Sequence, residues 1–413
     1  MKKIYTLISA LFISLQLFAG GFQLNEHGAK AMGMGGAYTA VSNDASAIYW
    51  NGAGLTQLSG TNFLIGTTLI APVSTFRGVT PDITEYKMEK QIFFPTHAFI
   101  SHSFSKDLAV GLGFTSPFGL GTKWGEDWIG RYLAVETELQ VFTISPVVAY
   151  NLMDNLSVSA GFVYSFANVT ITKKVPQTPF AGDAFVKLDG KDNFAAGYNL
   201  GLMYKPLPKL SLGLSFHSQL PFEFSGTATT TGAQALIDAK QLPNGGVKAK
   251  LTTPLNLAFG AAYDVMPELK VSFDFQYVGW SSYDSLIVNF DDPAYGRSVS
   301  PRLYDNSYII RLGADYEVFD GIEALAGIYF DKNPVKPEYV NPSLPDANRL
   351  GFSLGVEYKL TSQLDVSASY LFIRGSQLTV TNSQESYSAG KAAFNGTYNS
   401  YANLASLSLS YSL

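Results

Sequence analysis

The string Gly351-Phe352-Ser353-Leu354-Gly355 spells G-x-S-x-G, the arrangement that presents a nucleophilic serine in many acyl-transfer enzymes. Such a serine works only on a sharp strand-to-helix elbow. Here Phe352, Leu354 and Val356 alternate with Ser353 and Gly355, so the string reads as one strand and its serine as a strand residue. The histidines are His27, His97, His102 and His217. His97 and His102 are separated by an odd number of positions, so on a common strand they face opposite sides and cannot share a metal ion. Cysteine is absent from the sequence, which removes disulfides, thiolate metal sites and cysteine nucleophiles. No phosphate loop or paired-carboxylate pattern stands out. The expectation is a chain with no catalytic centre, no metal and no cofactor.

The elements around these residues point elsewhere. Lys2 and Lys3 precede an apolar run from Ile4 to Phe18, followed by the small residues Ala19, Gly20 and Gly21. That order is a secretory signal peptide over residues 1–19, with cleavage expected after Ala19; the run is short for a membrane anchor. Losing two lysines takes the formal charge from -5 to about -7, a balance that offers nothing to nucleic acid. Hydrophobic content is 46%, yet past the signal no run approaches the roughly 18 apolar residues of a spanning helix. Tyr- and Phe-rich composition with abundant glycine and few charges suits strands that meet lipid on one face.

Two-residue alternation is clearest over Lys209 to His217, where Leu210, Leu212, Leu214 and Phe216 oppose Ser211, Gly213, Ser215 and His217. Ala405, Leu407, Leu409, Tyr411 and Leu413 alternate with serines in the same way. A soluble sandwich would share that pattern, and the connections separate the two. Short turns fall at Ser105 to Asp107, Leu152 to Asn155, Pro206 to Lys209, Val265 to Glu268, Phe319 to Gly321 and Thr361 to Gln363. Between them lie longer loops near Arg77 to Lys90, Gly119 to Gly130, Val175 to Asp183, Thr230 to Gly246, Asp291 to Arg302, Pro334 to Asp346 and Gly375 to Phe394. Alternating tight turns and long loops describe a meander crossing a bilayer. The reading is an all-β, transmembrane antiparallel β-barrel over residues 60–413, with about fourteen strands. A lumen of that size is too wide for wall side chains to fill.

Gly20 to Ser59 has a different character, with Asn43 or Asp44 placed to cap a short helix through Trp50 that stops at Asn51-Gly52. Phe22, Leu24, Tyr38, Ile48, Tyr49, Trp50 and Leu55 are too much apolar surface to leave in water. Residues 20–59 are therefore expected as a plug inside the lumen, the alternative being a disordered tail.

Gly21-Phe22-Gln23-Leu24-Asn25-Glu26, Asn43-Asp44-Ala45-Ser46, Asn51-Gly52-Ala53-Gly54, Thr115-Ser116-Pro117-Phe118-Gly119-Leu120, Gly279-Trp280-Ser281, the Tyr329 to Val335 string and Leu344-Pro345-Asp346-Ala347-Asn348-Arg349 recur in order along the chain. Together they resemble the FadL/TodX family of outer-membrane long-chain fatty acid and hydrocarbon transporters. The resemblance implies a fourteen-stranded barrel with an N-terminal hatch, passive uptake of hydrophobic molecules, and sideways release into the membrane through a kinked third strand. It assigns the ligand gate to Phe22, Leu24, Asn51, Gly52 and Ala53, and the lateral opening to Ser116, Pro117, Phe118 and Gly119. By count the third strand is Asp107 to Gly119, in which Gly111, Gly113, Pro117 and Gly119 weaken a ladder; read alone, Pro117 serves equally as ordinary loop entry. Glycines 28, 33, 35 and 36 permit movement of Gly20 to Gly36 or, alternatively, close packing on the wall. Two departures stand out: the family's hatch carries Asn-Pro-Ala where this chain has Asn51-Gly52-Ala53, and the chain ends in Leu413 where such barrels commonly end in Phe.

The expected partners are a hydrophobic small molecule (fatty acid or hydrocarbon), outer-membrane lipid and lipopolysaccharide, with a monomer as the default. A general diffusion porin and an outer-membrane lipid hydrolase are the alternatives. A lumenal basic residue would signal a carboxylate ligand, and Lys123, Arg131, Lys187 and Arg311 are the candidates.

Overall fold

The computed structural model describes residues 20–80, 83–387 and 393–413. The expected signal peptide, residues 1–19, lies outside the described residues. Fourteen antiparallel strands form one closed barrel. They are β1 (Thr61–Gly78), β2 (Glu85–Lys87 and Thr96–Ser103), β3 (Leu108–Thr115 and Gly119–Lys123), β4 (Glu136–Met153), β5 (Leu156–Pro176), β6 (Asp183–Leu207), β7 (Leu210–His217 and Pro221–Thr231), β8 (Gly245–Thr252 and Asn256–Met266), β9 (Leu269–Val278 and Ser285–Phe290), β10 (Arg297–Pro301 and Ser307–Phe319), β11 (Ile322–Asp331), β12 (Arg349–Lys359), β13 (Leu364–Gly375 and Leu378–Val380) and β14 (Gly396–Ser412). β14 closes on β1 from Asn62 opposite Ser412 to Gly78 opposite Gly396. Closure removes the sheet edges that hydrocarbon cannot solvate.

Alternation sorts the side chains. On β1 Leu64 and Thr68 are buried inward while Phe63, Ile65 and Leu69 are exposed on the outer face. Ser353 belongs to β12, faces inward, and donates its hydroxyl to the Gly33 carbonyl at 2.8 Å, so the G-x-S-x-G string has no elbow. The short turns fall where expected. The loops differ in extent: residues 119–123, read as loop, pair with β4, and residues 297–301 pair with β9.

Inside the wall lies the segment from Gly20 to Leu58, almost all of it buried. It carries short helices at Ala29–Gly33 and Ala47–Trp50 and a 3-10 turn at Gly52–Gln57. Asp44 accepts from the Ser46 amide at 2.7 Å, but it stands two residues ahead of the position expected of a cap, because Ser46 itself is the N-cap of the Ala47–Trp50 helix. That helix stops at Asn51 as expected, and the Asn51 side chain accepts from the Ala53 amide at 3.2 Å to start the next turn. Contacts reach opposite walls. Asp274 of β9 accepts from the Tyr38 and Thr39 amides and the Thr39 hydroxyl at 3.1, 2.9 and 2.6 Å. Asn51 donates to the Leu202 carbonyl of β6 at 3.0 Å, and the Ala29 amide donates to Ser408 of β14 at 3.0 Å.

Glycines let the segment lie directly on the wall. Gly111 and Gly113, expected to weaken β3, pair regularly with β2 and β4, and an added methyl group would sit 2.6 and 2.8 Å from Ile48 atoms. They are absences that receive a side chain, which corrects the expectation. Gly35 likewise rests on Gly327 of β11 with φ 66°. Gly33, Gly35 and Gly36 therefore serve close packing.

One ion cluster fastens this floor. Lys30, 7% exposed, lies 2.5 Å from Glu323, 2.7 Å from Glu357 and 3.7 Å from Asp315, on three adjacent strands. Burial alone would lower the Lys30 pKa, but Glu357, Asp315 and Glu323 outweigh it and raise it, so the ammonium is permanent. Removing one member of a buried cluster leaves uncompensated charge at a cost of about 3–5 kcal/mol. Lys30→Ala is expected to lower the thermal midpoint and expose residues 20–58 to protease in detergent; unchanged melting and protection would refute the anchoring role.

Candidate functional site

The β2–β3 ladder holds from Ser103 opposite Ala109 to Ala98 opposite Phe114 and then stops. β3 breaks at Ser116-Pro117-Phe118 and resumes over Gly119–Lys123, where it pairs with β4. β2 leaves the ladder too, with Phe93 bridging to Ile70 of β1. The strands rejoin through the Glu89 amide and the Lys123 carbonyl at 2.8 Å. Among the described residues no ladder pair joins them in between. Pro117 thus marks a kink within a strand, and loop entry, the open alternative, does not occur there.

The N-terminal segment occupies the vacated pairing positions. The Leu24 amide donates to the Pro117 carbonyl at 2.9 Å, the Gly119 amide donates to the Phe22 carbonyl at 3.0 Å, and Gln23 bridges Phe118. Phe22 and Leu24 therefore meet Ser116, Pro117, Phe118 and Gly119 directly. Asn51, Gly52 and Ala53 do not: they sit lower, on β4 to β6, where a methyl group at Gly52 would lie 2.7 Å from Val147 and 2.8 Å from Ser159. The wall fills the space in which the family's proline ring would stand.

The Phe22 ring is held in an aromatic cage, with Trp280, Tyr283 and Phe118 centroids 4.7, 5.8 and 6.1 Å away. It forms part of two cavities. One, about 110 Å³, lies toward the long loops and is walled by Leu139, Phe224, Leu251, Val288 and Leu344, with Arg302 and Tyr304 as polar members. The second, about 300 Å³, lies behind the β2–β3 break; its lining runs from Leu24 and Arg349 in the lumen to Phe94 and Tyr401, exposed on the outer face. A third, about 70 Å³, lies on the far side of Gln23 and Phe118. Its lining mixes Thr143, Ser145, Asn199, Asn256, Gln276 and Arg311 with Ile48, Trp50, Pro117, Val163 and Leu220.

The candidate basic residues divide. Lys123, Arg131 and Lys187 pair with Glu89, Asp183 and Asp189 at 3.7, 2.9 and 3.0 Å, and of these six residues Asp189 alone lines the cavity toward the long loops. Arg311 is lumenal but lines the third cavity. Two basic residues line the cavity toward the long loops: Lys250, exposed and paired with Glu223, and the buried Arg302, 8% exposed, whose Nη1 reaches Glu385 at 3.4 Å. Arg302 sits in the irregular stretch between the two parts of β10, where periodicity carries no signal. His97 faces inward, with its ring centroid 6.2 Å from that of His27, while His102 accepts or shares a proton with Thr61 at 2.8 Å.

A family model described as outer membrane protein transport protein (OMPP1/FadL/TodX) matches residues 10–413. A long-chain fatty acid transport protein of Escherichia coli is 25% identical, covering 96% of this chain and 97% of that protein. Among solved structures, a Pseudomonas aeruginosa FadL homologue superposes with TM-score 0.86 at 18% identity, covering 95% of this chain and 100% of the other. The Pseudomonas putida toluene transporter TodX gives 0.74 at 16% identity, covering 94% and 99%. At these identities the structural likeness concerns the fold.

Truncating Phe22 would leave the cage empty at a cost of about 3 kcal/mol or more. Phe22→Ala is expected to speed hydrogen exchange at the Leu24 amide by at least about a hundredfold while β4 to β6 amides hold their protection. Unchanged exchange at Leu24 would contradict the caging role.

Proposed function

This chain belongs to the OMPP1/FadL/TodX family of outer-membrane transport proteins, and on that premise we propose that it carries hydrophobic small molecules inward by passive diffusion and releases them sideways through the β2–β3 break. The observation that carries this reading is the cavity of about 300 Å³ that runs from Leu24 to the outward-facing Phe94 through an interrupted wall. A ligand entering from the long-loop side, taken as extracellular, first meets the apolar cavity above Phe22. Each methylene that leaves water contributes about 0.8 kcal/mol, so capture needs no energy source. Phe22 stands between this cavity and the wall opening, and displacement of residues 20–27 joins them. Residues 28–58 stay as the fixed hatch floor, and Gly28, with φ 98°, is the hinge.

The third cavity is small, about 70 Å³, and presents Asn199, Asn256, Gln276 and Arg311, so an alkyl chain moving along the axis would have to desolvate these groups. The buried segment 20–58 across the lumen disfavours a porin, whose conduction needs a continuous wet lumen. The ligand class is read from Arg302: a buried guanidinium bordering an apolar cavity suits one carboxylate on a long chain, so a fatty acid fits better than toluene or an alkane.

Ser116→Trp, which places an indole in the opening, is expected to reduce palmitate uptake by cells lacking other such carriers at least tenfold, with heat-modifiable barrel migration unchanged. Unaltered uptake, or a large steady ion current of the unmodified protein in planar bilayers, would refute the lateral route. Loss of one charged hydrogen bond corresponds to roughly ten- to a hundredfold in affinity. Arg302→Gln is accordingly expected to weaken palmitate binding by that factor and leave toluene binding unchanged; equal losses for both would remove the carboxylate role.

A further inference from the structure

Gly20 and Gly21 are buried where the end of β11, Trp280 and the loop before β12 converge. The Gly21 amide donates to Asp346 Oδ2 at 2.6 Å, and the Gly21 carbonyl accepts from Arg349 Nη2 at 2.8 Å. The same Arg349 nitrogen donates to Asp346 Oδ1 at 2.9 Å. The α-carbon of Gly20 is directed at the carboxylate of Asp331, so closely that an added methyl group would overlap Oδ1. Asp331 is 5% exposed, yet among the described residues its Oδ1 has no hydrogen-bond partner.

The charges here do not balance. Glu26, Asp331 and Asp346 bring three carboxyl groups against the two guanidiniums of Arg311 and Arg349, which leaves one carboxyl without a cation of its own in a buried site. A buried carboxylate without donor or counter-charge is costly. A group with one positive charge and several N–H donors, within one bond of the Gly20 α-carbon, would correct both deficits.

We infer that this group is the α-ammonium of Gly20, set free by hydrolysis after Ala19, and that Asp331 is its binding partner. An endopeptidase selective for small residues adds water across the Ala19–Gly20 amide: the hydroxyl goes to the Ala19 carbonyl carbon, and the nitrogen leaves with Gly20 and is protonated at neutral pH. Before cleavage the Gly20 nitrogen is an uncharged amide with a single N–H, and Asp331 stays unneutralised. Maturation of the chain is thereby coupled to seating of the Phe22 segment, which follows two residues later. The inference does not depend on what the channel carries, and its readout involves no transport.

The test uses full-length protein purified from outer membranes in detergent. Intact mass is expected to begin at Gly20. Labelling with 2-pyridinecarboxaldehyde, which modifies α-amines, is expected to be at least tenfold slower on the native barrel than on the heat-unfolded chain. Asp331→Asn keeps the shape and removes the charge, and is expected to label at least tenfold faster than the native protein while its β-barrel still migrates as folded. If that variant does not fold, one alanine inserted between Ala19 and Gly20 moves the ammonium without touching the wall and is expected to label equally fast. A mass beginning elsewhere overturns the inference, as does native labelling at the unfolded rate. Slow labelling of the folded Asp331→Asn protein, or of the insertion variant if that is the one tested, does so too.

Discussion

Within hydrocarbon every backbone N–H and C=O must find a partner inside the protein, and this requirement governs the whole molecule. A closed antiparallel barrel meets it through the β14–β1 seam. The break between β2 and β3 violates it over the length of Ser116 to Thr122. The chain resolves the violation with its own N-terminal segment: Phe22 and Leu24 supply the carbonyl and amide that β2 would have offered to Gly119 and Pro117. Pro117 itself lacks a donor, so the kink leaves one group fewer to satisfy. The opening in the wall and the segment that fills it are consequently one structural solution. Movement of residues 20–27 must expose unpaired backbone, and a bound ligand or lipid covers it poorly, which biases the segment toward return.

That bias matters only if the remainder of the plug holds still. Below Gly28 the contacts are of a different kind. Lys30 is bound to three strands, Tyr38 and Thr39 to Asp274, and Asn51 to β6, so the floor is tied to nearly opposite sides of the barrel. Above it Phe22 is retained by ring packing, and Gly21 before it by hydrogen bonds to Asp346 and Arg349. Aromatic contacts of this sort are individually modest, at about 0.5–1.5 kcal/mol beyond burial. The proposed moving part thus adjoins the more firmly tied part across Gly28, whose φ only glycine adopts at ease.

The barrel was legible because its two signals are local. Alternation over Leu210 to His217 and the rhythm of tight turns need no tertiary information. The second half of β3 was not, since Gly119-Leu120-Gly121-Thr122 has little alternation and its pairing is decided by β4. Gly111 and Gly113 carried the wrong meaning for a related reason: a missing side chain in a strand looks like a bulge until the Ile48 that fills the space is located. Phe22 was reached as a gate residue through family resemblance, and Pro117, though it could be seen to interrupt a ladder, was separated from ordinary loop entry only by the resumed pairing of Gly119–Lys123. Arg302 was hidden because it lies in an irregular stretch, where neither period nor motif says which way a side chain points.

The exit follows from how polarity is distributed around one phenylalanine. Phe22 borders the cavities of about 110 and 300 Å³, while Gln23, its neighbour, borders the latter and the third cavity of about 70 Å³. This one dipeptide therefore adjoins all three cavities, and of the two residues Phe22 alone reaches the cavity toward the long loops. A hydrophobic ligand above Phe22 has a downhill path only where the next surface is also apolar. On the proposed route the opening beside Phe118 offers such a surface and continues into lipid, whereas the third cavity presents Asn199, Asn256, Gln276 and Arg311. Asn256 and Gln276, hydrogen-bonded to each other at 2.6 Å, and the hydroxyls around them already make that direction unfavourable for an alkyl chain.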